Sequence, residues 1–369
     1  MADYLHIVCF TAPSPPDYGG AFDLYYKIPE LAKLGKKIIL HYFDYKQGRG
    51  HQGLEPYCVE INRYDRKAFF RCLFTLQPYI VSSRLNRELI HRLNLDHHPV
   101  LLEGIHCTGI IPYLVNRKIV VRVHNDEAVY YKQLQQQESS IFKWIYFFCE
   151  ALLLALYQKE LSREPIFVFV SETDKELFRT KYQQQKQIFL PCFLPWQQIN
   201  SLTGKGDYCL YHGNLSISEN RRAAFWLAEN IFKKINFPLV IAGKNANTLR
   251  SQLSANSNVC LIDNPSDEQL AGIIRNAHIN ILPSFNNTGV KLKLLHALFE
   301  GRFCITNAAG LKGSGLHSGM HIANDEAAMM RIVNQLLTTE FSEGDVTHRN
   351  QLKLIYNNNT NAATLNELL

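Results

Sequence analysis

The chain has 369 residues, 46% of them apolar and 20% charged, a globular balance long enough for two domains with large cores. Its net charge of +6 suits anionic substrates or an anionic membrane surface, and no run of Lys or Arg is dense enough to demand nucleic acid. Nine scattered cysteines, an odd number with no CxxC or zinc spacing, point to reduced thiols and a reducing, cytoplasmic compartment.

The N-terminus, MADYLHIVCF, runs straight into a strand pattern without the basic start of a signal peptide. Strands are predicted at 5–10, 37–43, 100–103, 119–123 and 166–170, then at 208–211, 239–241, 259–262, 279–282 and 303–306. Helical periodicity lies between them at 22–34, 171–182, 219–235, 267–277 and 289–300. The most apolar stretch, WIYFFCEALLLALY at 144–157, contains Glu150 and is short for a bilayer span. It is expected to be a helix buried against the first domain.

Continuous apolar strands alternating with helices imply parallel sheets covered on both faces. Two such series make an α/β protein of two Rossmann-like, doubly wound domains facing a cleft. The expected boundaries are 1–192 and 193–350, set by the Pro191/Pro195 break, with the final helix region, 351–369, returning to the first domain. Ligands of such sheets bind beyond the carboxyl ends of the strands.

Five loops at those ends carry chemistry. TAPSPPDYGGAFDLYY sets Gly19 and Gly20 between the first strand and its helix, where bare backbone can approach a ligand or simply turn. VVRVHNDEAVYY puts His124 at a strand end, able to grip a sugar hydroxyl or a departing phosphate, with Arg122 expected on the other face. VSETDKELF reads as a helix capped by Ser171. YHGNLSISENRRAAFWL brings Gly213 and Asn214 to the opening of the second half, with Arg221 and Arg222 on the helix that follows.

The fifth loop, PSFNNTGVKLKLLHALFEGRFCITN, runs from a strand into a helix that Asn287 or Thr288 can cap. Lys291 and Lys293 then sit in its first turn, where the macrodipole disfavours each cation by about 0.3–1 kcal/mol. A bound diphosphate reverses that sign, so Thr288, Gly289, Val290, Lys291 and Lys293 form a candidate diphosphate cradle. No Asp-x-Asp pair occurs, so no carboxylate metal site is indicated.

In order and spacing these segments resemble the retaining GT-B glycosyltransferases of family 4, in a bacterial cell-surface-glycan branch, over nearly the whole chain. The resemblance implies metal-free transfer from a nucleotide-sugar, a UDP or GDP donor, onto a lipid-linked or polysaccharide acceptor, with no further cofactor. It implies His124 and Lys291 as catalytic groups, Gly19, Gly20, Gly213 and Asn214 beside the diphosphate, and Gly243, Ile262 and His296 toward the nucleoside.

The chain departs from that pattern in two places. Thr288 and His296 stand where many members carry glutamates, the second of which grips the ribose, and Asn214 and Glu219 replace a common Arg/Lys pair. A catalytically silent partner in a glycan-assembly complex is the alternative reading. The aromatic and basic residues Tyr25, Tyr26, Lys27, Phe69, Phe70 and Arg71 would suit peripheral contact with the inner face of an anionic membrane.

Overall fold

The computed structural model describes residues 3–44, 48–72, 75–161, 165–183, 186–253, 256–286 and 289–369. The chain divides into two compact units, Met1–Pro195 with Tyr356–Leu369, and Trp196–Ile355.

In the first unit the elements run β1 (Tyr4–Cys9), α1 (Gly19–Lys33), β2 (Lys37–Asp44), β3 (Cys58–Asp65), α2 (Tyr79–Ser82), α3 (Arg87–Leu93), β4 (Val100–Glu103) and β5 (Ile119–Val123). They continue with α4 (Glu127–Gln137), α5 (Ile141–Glu160), β6 (Ile166–Phe169), α6 (Glu172–Lys181) and β7 (Gln187–Phe189). Among the described residues the sheet has seven strands in the order β3-β2-β1-β4-β5-β6-β7. Every pairing is parallel, as in Tyr4 opposite Lys37 and His6 opposite Val100.

The period-two alternation of a strand explains the two cores. Val8 packs on one side of the sheet with Leu102, Val121 and Phe167. Leu5, Ile7 and Cys9 pack on the other against Leu24, Ile28 and Leu31 of α1. The closing helix of the chain, Asn358–Glu367, completes this second layer through Ala362 and Leu365.

The second unit runs β8 (Cys209–His212), α7 (Ser218–Trp226), β9 (Leu239–Gly243), α8 (Arg250–Leu253), β10 (Val259–Asp263), α9 (Asp267–Asn276), β11 (Ile279–Ile281), α10 (Leu292–Glu300), β12 (Phe303–Thr306), α11 (Ala308–Leu311), β13 (His321–Ile322), α12 (Glu326–Leu337), α13 (Glu343–Arg349) and α14 (Leu352–Ile355). Its sheet, in the order β10-β9-β8-β11-β12-β13, is also parallel throughout. The segment 356–369, with α15 (Asn358–Glu367), belongs to the first unit.

All ten predicted strands are present, and the doubly wound architecture is as expected. The strands that composition did not reveal are β3, β7 and β13, which lie at sheet edges. Their residues are mostly half-buried or exposed, as in CVEINRYD of β3, so they form no continuous apolar run. In both sheets the winding direction reverses beside the first strand, between β1 and β4 and between β8 and β11. Those two points are where open parallel sheets receive ligands.

Two expectations fail. Helix α5 is 20 residues long and buries little more than Glu150, Leu154 and Gln158, so it is not sunk in the core. The apolar run misleads because Glu150 and Gln158 meet the domain beside Leu154, which leaves Trp144, Ile145, Phe148, Leu152 and Leu156 outside. The aromatic-basic set also divides: the Lys27 ammonium is fully buried and Tyr25 and Tyr26 are half-buried, while Phe69, Phe70 and Arg71 are exposed.

Candidate functional site

In the second unit the site residues collect at the carboxyl ends of β8 and β9 and at the start of α10. Thr288, like Asn287, lies outside the described residues. Gly289 adopts φ +65°, a left-handed corner that favours glycine. Half-buried Val290 follows, and Lys291 is still extended, with φ −86° and ψ 90°. The helix therefore begins at Leu292, one turn later than the sequence suggests, with Lys291 at its N-cap position. Lys291 makes no side-chain cap, and no acidic residue lies in the first turn of the helix. The Lys291 ammonium is 3.4 Å from the Gly289 carbonyl.

Lys293 differs from its neighbour. Its ammonium is buried, donates to the Tyr211 hydroxyl and to Asn220 Oδ1 at 3.0 Å each, and lies 4.8 Å from the centre of the Tyr211 ring. Burial pushes it down to about 8, with Glu219 opposing and Lys291 assisting that shift. Lys293, expected in the diphosphate cradle, ties α10 to β8 and α7.

Gly213 and Asn214 follow β8 directly. The Asn214 side chain accepts from Ser216 N at 3.0 Å and its carbonyl accepts from Asn220 Nδ2 at 2.9 Å, so Asn214 builds the turn. A Cβ on Gly243 would fall 2.0 Å from the Gly213 carbonyl oxygen, so two adjacent strand ends require the glycine. Ile262 sits half-buried on the edge strand β10, one strand beyond Gly243.

His296, on the buried face of α10, is stacked by Trp196 at 4.2 Å and met edge-on by His212 at 5.8 Å. Burial pushes His296 down to about 3 and His212 well below the ordinary imidazole value. Both rings are neutral, and the Nε2 of each is buried without a hydrogen-bond partner among the described residues. Such atoms cost about 1–3 kcal/mol unless something completes their bonding. Sequence reasoning passed over Trp196 and His212: the first lies in the inter-domain stretch, and the second reads as an ordinary strand end.

The first unit has its own cluster beside the β1–β4 reversal. His124, directly after β5, is buried, and its Nε2 is 3.0 Å from Glu103 Oε2. Glu103 pairs at 2.5 Å with Lys27, which pairs at 3.0 Å with Asp23. Asp23 receives two bonds from Arg122, at 3.0 and 2.9 Å. Arg122 therefore shares the network side with His124, contrary to expectation, because strand positions two apart face the same way. Burial alone would raise the Asp23 carboxyl, but Arg122 and Lys27 hold it well below the carboxylate range.

Asp23, Glu103 and His124 bring ligand atoms within 4.8 Å of one another, a spacing open to a cation. Lys27 and Arg122 already supply the opposite charge to both carboxylates. Arg122 also donates to the Leu190 and Pro191 carbonyls, so the network fastens the chain leaving the first unit.

Gly19 and Gly20 are not in a loop but are the first residues of α1, whose N-cap Tyr18 makes no side-chain cap. Around Gly19 the space is open, whereas a Cβ on Gly20 would lie 3.0 Å from the Phe10 ring. That ring stacks on His106 at 4.6 Å and meets His124 edge-on at 5.6 Å. Glu127, three residues after His124, is pushed up to about 8 by burial and by Asp126, so it is protonated at neutral pH. The sequence shows Glu127 only as the opening of a helix. Ser171 caps α6 by accepting from Asp174 N at 3.1 Å. Arg221 donates to the Leu215 and Ser216 carbonyls, and Arg222 lies over Phe285.

The family model "Glycosyl transferases group 1" matches residues 206–339. An "Uncharacterized 44.6 kDa protein in cps region" of Klebsiella pneumoniae is 29% identical over 356 residues, 89% of each chain. Among solved structures, sucrose-phosphate synthase from Thermosynechococcus elongatus superimposes with a TM-score of 0.74 at 13% identity, over 99% of this chain and 98% of its own. The G117R mutant of S. aureus TarM, in complex with fondaparinux, alpha-GlcNAc-glycerol and UDP, gives 0.66 at 8% identity over 99% of both chains. Residues 206–339 are therefore a group 1 glycosyl transferase domain, and the chain as a whole has the GT-B fold of these solved structures.

Proposed function

We propose that the protein transfers a sugar, with retention and without a metal, from a UDP or GDP donor to a lipid-linked or polysaccharide acceptor in cell-surface glycan synthesis. The observation that carries this reading is the start of α10. A helix that opens with a lysine at its N-cap position, a residue that cannot cap it, and with no acidic residue in its first turn is most stable with an anion at that end. Lys291 and the first-turn N–H groups hold the diphosphate. His296 and His212, each with an unpartnered Nε2, offer acceptors to donor hydroxyls, in place of the glutamate that the family resemblance leads one to expect. His124 in the first unit serves the sugar or the departing phosphate, with Glu103 orienting its ring.

The cps-region relative supports the cell-surface setting, and the UDP bound to TarM supports the donor class. Calorimetric titration with UDP and with GDP tests the reading. Lys291→Ala is expected to weaken binding about tenfold or more, the loss of one charge-assisted contact of about 1.5–3 kcal/mol. Binding of neither nucleotide, or binding indifferent to that substitution, overturns it. The replacement of a ribose-gripping glutamate by His296 favours a second reading, a silent assembly partner. Single-turnover product with any donor excludes that alternative.

A further inference from the structure

Helix α5 is inside out. Its polar residues face the domain: Glu150 accepts from Tyr79 N and Ile80 N at 3.0 and 2.9 Å, and Gln158 bonds to Asp126 and to Ala128 N. Leu154 is buried between them, while a second apolar face is turned to solvent at helical spacing. Ile141, Ile145, Phe148, Leu152 and Leu156 form one stripe, with Phe142 83%, Phe148 50%, Leu152 55% and Leu156 53% exposed. Trp144 stacks on Phe148 at 5.7 Å within the same surface. Beside it, Phe69 meets Tyr146 at 5.6 Å, bringing the turn that carries exposed Phe70 and Arg71 against the helix.

The geometry points to this surface as a bilayer-docking face: α5 lies in the interfacial layer of an anionic membrane, and Phe70 enters alongside it. The charges select that occupant. Lys159, Lys67 and Arg71 are exposed on or next to the face, whereas the one carboxylate within the helix body, Glu150, is turned inward and held. Only Glu160, the last residue, is an exposed acid on the helix. Anionic headgroups complement such a rim, and lysines at a helix end can reach them while their stems stay apolar. Self-pairing of the same face would set basic groups against basic groups. The helix is long and apolar enough to cross a bilayer, but crossing would strip Glu150 and Gln158 of their partners in the domain.

This inference deepens the acceptor side of the proposed reading by naming the surface that meets a lipid-linked acceptor. Its test contains no nucleotide, so its outcome is separate from that of the donor titration. The full chain is mixed with vesicles of phosphatidylglycerol and phosphatidylethanolamine, or of phosphatidylcholine alone, at low and high salt. Cys149 and Cys260 are the two exposed thiols. In a Cys260→Ser background a polarity-sensitive dye on Cys149 therefore reports from α5. Expected are co-sedimentation with the anionic vesicles, a blue shift of the dye, and weakening by salt. Phe148→Asp with Leu152→Asp should cut partitioning by at least about tenfold, since it puts two charges where two apolar side chains enter the bilayer. Should that variant fail to fold, quenching of the wild-type dye by brominated lipid still decides. Absence of binding at low salt, an unshifted and unquenched dye, or a lipid-free dimer dissolved by the same substitutions overturns the proposal.

Discussion

Lys291 and Lys293 stand two residues apart and both are half-buried, yet Lys293 reaches across to β8 and α7 while Lys291 stays at the α10 N-terminus. The Lys293 ammonium is held by the Tyr211 hydroxyl and Asn220 Oδ1, and Asn220 in turn fixes the Asn214 carbonyl. Lys293→Met keeps the length of the side chain but leaves Asn220 Oδ1 only the long contact from the Tyr211 hydroxyl at 3.4 Å. The expected loss is about 1–3 kcal/mol of unfolding free energy, read by urea denaturation. Lys291→Ala should move that midpoint little, because its side chain is only half-buried and away from the core. From sequence the two lysines are equivalent, both in a first turn. What separates them is Gly289 at positive φ and an extended Lys291, which start the helix later and turn Lys293 inward. His124 and the lysine cradle were legible because strand ends and helix starts can be read from pattern. Trp196, His212 and the protonated Glu127 were not, because they depend on what burial does to a side chain.

At the scale of elements, α5 is tied to the domain by a carboxylate. Glu150 satisfies two N–H groups at the start of α2, a helix of four residues with no side-chain cap of its own. Glu150→Ala should cost about 1–3 kcal/mol, and Glu150→Gln should recover part of it, since an amide oxygen still accepts. Equal stability of the alanine variant and the wild type in urea would contradict this. Among the described residues the nine interior strands and the edge strand β10 were readable as apolar runs, but α5 shows where that rule stops. A run that is apolar on nearly every side has no period to say which face is inside. Only the partners of Glu150 and Gln158, far away in sequence, decide it. The other edge strands escape for the opposite reason, as their alternation is diluted by exposed polar residues.

Across the molecule, neutral buried histidines link stability to pH. His41 in the first unit bonds to His6 and Tyr64, and burial pushes it down to about 3; His296 in the second unit is at about 3 as well. In the unfolded chain each imidazole binds its proton near 6.5. Between pH 6.5 and about 3 the unfolded state therefore holds more protons, and stability falls as the pH drops through that window. The limiting slope is about 1.4 kcal/mol per pH unit for each histidine. Above pH 7 these groups contribute no pH dependence. Urea midpoints at pH 7 and pH 5 check this, and His41→Asn should flatten the difference; a profile already flat in the wild type would refute it. The two parallel sheets were the part of the molecule most open to reading, because strand–helix alternation repeats along the whole chain. The winding reversals that gather the site residues follow from strand order, which no single segment encodes.

The outward face of α5 also has a bearing on the protein as a material. A folded chain that keeps about 30 Å of apolar helix in water adsorbs to apolar phases, vessel walls and air–water surfaces included, while its core is still intact. Its shelf life and crystallisability then depend on what wets that helix, detergent or lipid, and not on its unfolding temperature.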